Sequence, residues 1–442
     1  MYGVSDTGKD RPAQRGLGFW MTLALVVGNL IGSGIYLLPA TLAPLGVNQL
    51  AGWMVTIAGS LCMAFVFARL AARMPAPGGP FAYVMQGFGP AAGFAAAWAY
   101  WTMLWSGNGA VAVAVVSNLS LLYPPLGNTP GAPAALAVGA VWLLTAVNIR
   151  GVRSAGDVQV VTTVLKLLPL ALLIGLALWL WLSGTPRVVQ PALPLTPGLV
   201  ASAAGLTFWG FLGLESATVP SDKVENAGRV VPRATMWGVA LAGAIYLGIA
   251  LAFRAYMPEG AAGASPSPVA QFLGSRLGGD VSGVVAVFAA ISAFGTLNGF
   301  ILVQGEVPWA MARDGLFPAW FGKETRAGTP VNAHLVSSGL LTVITLLNFG
   351  RDMGNLFTFI ASISLAAGML TYVATMAAAM RLLRDEWAVV AVAMLAGAFN
   401  AWALWGLGLE AIAYGLVLVA LGVPVYLAVR WGKKSAASSP RT

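Results

Sequence analysis

Apolar runs of about twenty residues follow one another along nearly the whole of this chain, joined by short polar connections, and that is the length of α-helix that crosses the hydrocarbon core of a bilayer. Candidate spans lie near 19–42, 49–72, 90–121, 132–149, 156–183 and 199–219, then near 234–256, 281–311, 332–349, 354–380, 387–407 and 410–430. Of the 442 residues, 58% are hydrophobic and only 9% charged, and the mean hydropathy is +0.80, whereas roughly a quarter of residues are charged in soluble domains. The expected fold class is an all-α membrane protein of about twelve transmembrane helices forming one continuous bundle.

The net charge of +9 could indicate nucleic acid or a cytoplasmic surplus of cations, and distribution decides. With the N-terminus inside, nineteen of the Lys and Arg residues fall in cytoplasmic segments and only Arg187, Arg254, Arg276 and Arg351 fall outside, Lys166 lying within a span. By the positive-inside rule both termini are cytoplasmic, and the basic balance needs no nucleic acid. A polar tail, 1–15, carries Lys9, Arg11 and Arg15; no small-residue cleavage site follows it, so the first apolar run is expected to be retained. The membrane domain is 16–430 and a second tail 431–442. The single Cys62 sits in an apolar run, so the sequence proposes no disulfide framework, metal cluster or cofactor, and the redox compartment is open.

The first span reads Gly28-Asn-Leu-Ile-Gly-Ser-Gly-Ile-Tyr36, and the sixth repeats the device with Trp209-Gly-Phe-Leu-Gly-Leu-Glu-Ser216. Glycine weakens a helix, and unwound backbone at membrane depth is tolerated only when it is buried in protein or lines a polar cavity. Two interrupted helices five spans apart are what two inverted five-helix repeats predict, with a substrate between the breaks. Freed amides at one half-helix can hold a carboxylate, and freed carbonyls at another can accept from an ammonium group; an α-amino acid has both. The alternative is that Gly32, Gly34, Gly210 and Gly213 only allow close helix packing.

With these residues, and with Pro77-Gly-Gly-Pro-Phe-Ala-Tyr83, Asp314-Gly-Leu-Phe-Pro318 and Gly328-Thr-Pro330 in the same order, the chain resembles the amino acid, polyamine and organocation transporter superfamily over roughly 15–430. Within it the likeness is greatest to the basic amino acid/polyamine antiporters, the bacterial arginine/agmatine type among them. The resemblance implies a leucine-transporter-like fold of 5+5 inverted repeats, about 16–185 and 195–382, with two further helices over 386–430. It implies a multi-pass protein of the cell inner membrane, surrounded by lipid, that carries a small molecule. It leaves room for a homodimer, since the family includes dimers.

Carried onto this chain, the family's substrate site comprises Leu30, Ser33 and Gly34 at the α-carboxylate and ammonium ends. Asn108, Trp209, Leu212 and Ser364 would lie around the side chain, with Tyr100 near the gate. The departures from the arginine/agmatine pattern are Phe300 in place of a Trp platform, Met103 and Leu104 beside the side-chain pocket, and Gly210 where a hydroxyl is usual. Each shrinks or dries the distal pocket, and Phe is a weaker cation–π face than Trp.

An ionisable group at the bilayer centre costs about 2.5–3.5 kcal/mol by insertion scales, so each is a functional candidate. Lys166 stands in Leu165-Lys-Leu-Leu-Pro169. In many relatives such a lysine occupies the place of a sodium ion and bonds to the first break, and both a proton carrier and a permanent structural cation are open to it. Glu215, one turn past the second break, is expected to couple the site to gating through the third helix, or to be a neutral packed carboxyl. Glu306, near the cytoplasmic end of the eighth span, reads as solvated, and His334 as a residue near the cytoplasmic surface.

The leading function is secondary transport by alternating access, exchanging a basic, arginine-like amino acid for its agmatine-like amine or for another amino acid. Proton-coupled uptake of small or neutral amino acids through Lys166 is the alternative, and an amino acid sensor on the same fold a third reading. An intramembrane enzyme would need a nucleophile with a base, or clustered metal ligands, at depth; one histidine and one cysteine argue against it.

Overall fold

The computed structural model of the chain describes residues 16–32, 34–265, 267–278, 281–326, 328–348 and 353–438. The expectations for Ser33, Arg351, the tail 1–15 and residues 439–442 lie outside these described residues. The first span is divided into α1 (Phe19–Leu30) and α2 (Gly34–Leu42). It is followed by α3 (Asn48–Arg73), the short α4 (Pro80–Phe88), α5 (Pro90–Leu122), α6 (Pro125–Asn128), α7 (Ala132–Ile149), α8 (Val152–Leu182) and α9 (Pro197–Phe208). The second half comprises α10 (Ala227–Tyr256), α11 (Glu259–Gly263), α12 (Pro268–Leu277), α13 (Ser282–Arg313), α14 (Val331–Asn348), α15 (Met353–Leu382), α16 (Trp387–Gly406), α17 (Leu409–Ala420) and α18 (Gly422–Ser438).

Among the described residues, 11 stretches are long and apolar enough to cross a membrane, and Val331–Leu346 is a shorter apolar helix in the ninth place. Together they follow the expected order of twelve. Proline opens α4, α5 and α9 at the first helical position, where its missing N–H has no intrahelical partner to lose. The Thr196 side chain adds a cap on α9, accepting from Leu199 N at 3.3 Å.

The sixth span, Pro197–Thr218, keeps close to its expected extent of 199–219 and is broken where the glycines fall. Its α-helix ends at Phe208, and the rest proceeds through 3₁₀ turns at Trp209–Phe211, Ser216–Thr218 and Ser221–Lys223. Leu212 is extended, and Gly213 has φ +93°, a conformation that glycine enters without the steric cost borne by other residues. The fifth span begins earlier than expected, at Val152, which puts Lys166 about 21 Å along a helix of roughly 46 Å.

At the centre, α5 packs along α13 and α15, while α1 lies among α8, α10 and α13. The final helices are peripheral, with Leu409, Leu427 and Trp431 exposed, as lipid-facing surface should be.

Candidate substrate site

Both breaks open on one cavity. Its lining contains Leu30, Gly34, Met103, Asn108, Trp209, Gly210, Leu212, Phe300 and Ser364, so the substrate-contact candidates within the described residues meet there, whereas Tyr100, Lys166 and Glu215 stand outside it. Asn29, Gly32, Ile35, Leu104, Gly107, Val111, Tyr246 and Thr296 complete it. A Cβ at Gly34 would stand 3.2 Å from the Trp209 ring, and one at Gly213 would meet Phe300 Cζ at 2.9 Å. The two aromatic faces therefore lie directly on the broken backbone, and glycine is what lets them do so.

The first break is held from behind by Lys166, which is 0% exposed. Its Nζ donates to Gly28 O (2.8 Å), Ile31 O (2.7 Å) and Thr296 Oγ1 (3.2 Å). Thr296 in turn donates to Gly28 O at 2.8 Å. An ammonium group thus sits where α1 terminates, at the negative end of its dipole, and all three of its protons are used. Two further break carbonyls meet Tyr246 of α10, whose hydroxyl lies 2.6 Å from Leu30 O and 2.9 Å from Gly210 O. One side chain ties the two breaks together. Asn29 adds a second tie, donating from Nδ2 to Ser216 Oγ at 2.7 Å.

Past the second break, Glu215 is fully buried and receives two tyrosine hydroxyls. Tyr100 of α5 donates to Oε1 and Tyr372 of α15 to Oε2, each at 2.5 Å. The expected bond to the third span is present, and the second tyrosine was not anticipated. Neither Tyr100 nor Glu215 lines the cavity; they lie beside it and fasten the unwound backbone to two neighbouring helices. At the cavity's side-chain end, Asn108 Nδ2 donates to Gln304 Oε1 at 2.7 Å, while its Oδ1 is buried without a partner. Ser364 donates to Met103 O at 2.7 Å.

Glu306 is not solvated: it is 1% exposed and forms a bidentate pair with Lys223 Nζ at 2.6 and 2.7 Å, and that ammonium also lies 4.7 Å from the Trp309 ring centroid. His334, in the first turn of α14, is 0% exposed and packs against Gly305. At the same end, Leu17 N donates to Lys223 O (2.8 Å) and Glu225 N to Leu17 O (3.0 Å). The entry to the first span and the exit from the sixth are therefore paired.

Residues 17–432 match the model of a family described as amino acid permease. The chain belongs to that family. The cadaverine/lysine antiporter of Escherichia coli strain K12 is 33% identical over 366 residues, 80% of this chain and 81% of its own. A putative arginine/ornithine antiporter of Bacillus subtilis is 30% identical over 386 residues, 80% and 82% of the two chains. A putrescine transporter of Haemophilus influenzae is 28% identical over 413 residues, 91% and 94%. These relatives put the permease among the basic amino acid/polyamine antiporters of the superfamily. It is a multi-pass membrane transporter of the amino acid and polyamine class, not an enzyme.

Proposed function

We propose that the permease exchanges a basic amino acid for its decarboxylated amine, an arginine/agmatine or lysine/cadaverine kind of pair, by alternating access. The observation that carries this reading is the opening of both helix breaks on one cavity, with an unpartnered amide oxygen at its far end. The first amides of α2 begin at Gly34 and form a positive helix end suited to the substrate carboxylate. Met103, Leu104 and Phe300 would cover the aliphatic stem, with Trp209 and Phe300 as aromatic faces for a cation. Asn108 and Ser364 would meet the terminal group.

No Asp or Glu side chain is among the lining residues. A cation held by neutral acceptors is released more easily than one paired with a buried carboxylate, which suits a carrier that must let go on both sides. The Tyr100–Glu215–Tyr372 clamp would act as the gate over the second break. The protein would sit in a cell inner membrane with both termini in the cytoplasm, the matched breaks marking its 5+5 inverted repeats.

A second reading, proton-coupled uptake, is favoured by one observation: Lys166 is wholly buried, and its hydrogen-bond partners are two carbonyls and a hydroxyl rather than a carboxylate. The test is uptake of radiolabelled arginine and lysine into proteoliposomes preloaded with arginine, agmatine, lysine, cadaverine, a neutral amino acid or buffer, with and without an imposed pH gradient. Exchange requires substrate inside. Net accumulation into buffer-loaded vesicles, driven by the gradient and lost in Lys166→Ala, would replace exchange by symport.

A further inference from the structure

We infer that Gln304, Ser338 and Thr145 form a relay that locks the Asn108 amide with its carbonyl free for the cavity, so that this subsite takes only a hydrogen-bond donor. The inference rests on the substrate reading above and names what makes that reading selective for an ammonium- or guanidinium-ended side chain. None of the three relay residues lines the cavity, and all are buried.

The orientation follows from counting protons. A hydroxyl has one proton to give, a carbonyl has none, and a side-chain amide has a donating and an accepting end. Thr145 Oγ1 lies 2.7 Å from the Val141 carbonyl, which can only accept, so the Thr145 proton is committed there. Ser338 Oγ is 2.7 Å from Thr145 Oγ1, and the proton between them must therefore be that of Ser338. Ser338 is left as an acceptor towards Gln304, whose Nε2 lies 3.3 Å away. The Gln304 amide is thereby turned with Oε1 towards Asn108, and it accepts from Asn108 Nδ2 at 2.7 Å.

The last atom in the sequence is Asn108 Oδ1, buried and without a partner on a residue that lines the cavity. An amide in isolation could present either end, and network constraints are what decide between them. Four helices, α7, α14, α13 and α5, supply the constraint here. A further pair keeps them in register, with Trp101 Nε1 donating to Ser337 Oγ (2.9 Å) and Ser337 donating to the Gln304 carbonyl (3.0 Å). A substrate ending in a methyl group leaves Oδ1 unpaired, and one ending in a carboxylate repels it. Only a donor completes the site.

The test is equilibrium binding of lysine and of norleucine, which share a backbone and differ in the terminal ammonium, to purified wild type and to Ser338→Ala, Ser338→Thr and Thr145→Val. Lysine-for-lysine exchange in proteoliposomes is measured alongside. Ser338→Ala and Thr145→Val release the amides to turn, and the lysine-to-norleucine affinity ratio is expected to fall about tenfold, the size of one charge-assisted hydrogen bond. Norleucine affinity should hold, and Ser338→Thr should restore the ratio. A merely structural defect would lower both affinities together. A wild-type preference for lysine that both relay variants leave intact refutes the relay alone. A wild type that binds lysine no better than norleucine refutes the basic-substrate reading and the relay with it.

Discussion

Lys166→Met tests the first break most directly, because it keeps the length of the stem and removes only the ammonium group. Gly28 O would keep its 2.8 Å bond from Thr296, but Ile31 O would retain only contacts of 3.4 Å from Thr296 and Ser292. A buried acceptor left in that state costs about 1–3 kcal/mol, and the lost cation at the end of α1 up to about 2 kcal/mol more in a buried geometry. Relief of the charge-burial penalty offsets part of this, so a net loss of about 3 kcal/mol is expected, enough for roughly a hundredfold loss in affinity if the break must hold its shape for substrate. The assay is equilibrium binding of arginine or lysine to purified protein, with homologous exchange in proteoliposomes. Lys166→Met that binds and exchanges within about twofold of wild type would show that the ammonium does not hold the break.

Tyr246→Phe removes the hydroxyl shared by Leu30 O and Gly210 O, and a loss of about 1–2 kcal/mol should appear as weaker substrate binding with little change in Tm; unchanged binding would count against the tie. Glu306→Gln leaves the part-buried Lys223 ammonium without its carboxylate, which costs up to about 3 kcal/mol; Tm should drop, and the double variant Lys223→Met with Glu306→Met should recover most of it. The Glu386 carboxyl, just outside the spans, is held below its usual range by the Arg69 guanidinium, with Arg73 beside it, at the end of α3. The folded state therefore gains from this group above its ordinary pKa and loses the gain as pH falls through the lowered one. Glu386→Gln should lower Tm at neutral pH and converge with wild type in acid, and a pH-independent difference would refute the ion pair as its cause.

The breaks were legible because glycine is the one residue whose repetition in an apolar run opposes the helix that the run otherwise demands. Lys166 was legible because a charge in such a run has no inexpensive explanation. Tyr246, Tyr372, Thr296 and Gln304 gave no comparable signal: each is tolerated in an apolar helix, and each acquires a role only from a partner on another element. Glu306 was misread for the same reason, since Lys223 lies 83 residues away in a connection, and the sequence does not say that the connection folds back over the eighth span.

The distribution of partners around the breaks explains why an exchanger of this kind can treat an amino acid and an amine differently. Lys166 occupies Gly28 O and Ile31 O, and Tyr246 occupies Leu30 O and Gly210 O, so much of the carbonyl capacity freed by unwinding is already spent inside the protein. Among the groups left without a partner are the amide end of α2 on one side and Asn108 Oδ1 on the other, with Asn29 Oδ1 also unpaired beside the first break. On the exchange reading, an amino acid engages both ends, whereas its decarboxylated amine engages only the second. Discrimination between the two then lies in the α2 amides, and recognition of what they share lies in the side-chain subsite that Gln304 orients. Perturbing one end should alter the choice between amino acid and amine; perturbing the other should alter the choice between basic and neutral substrates.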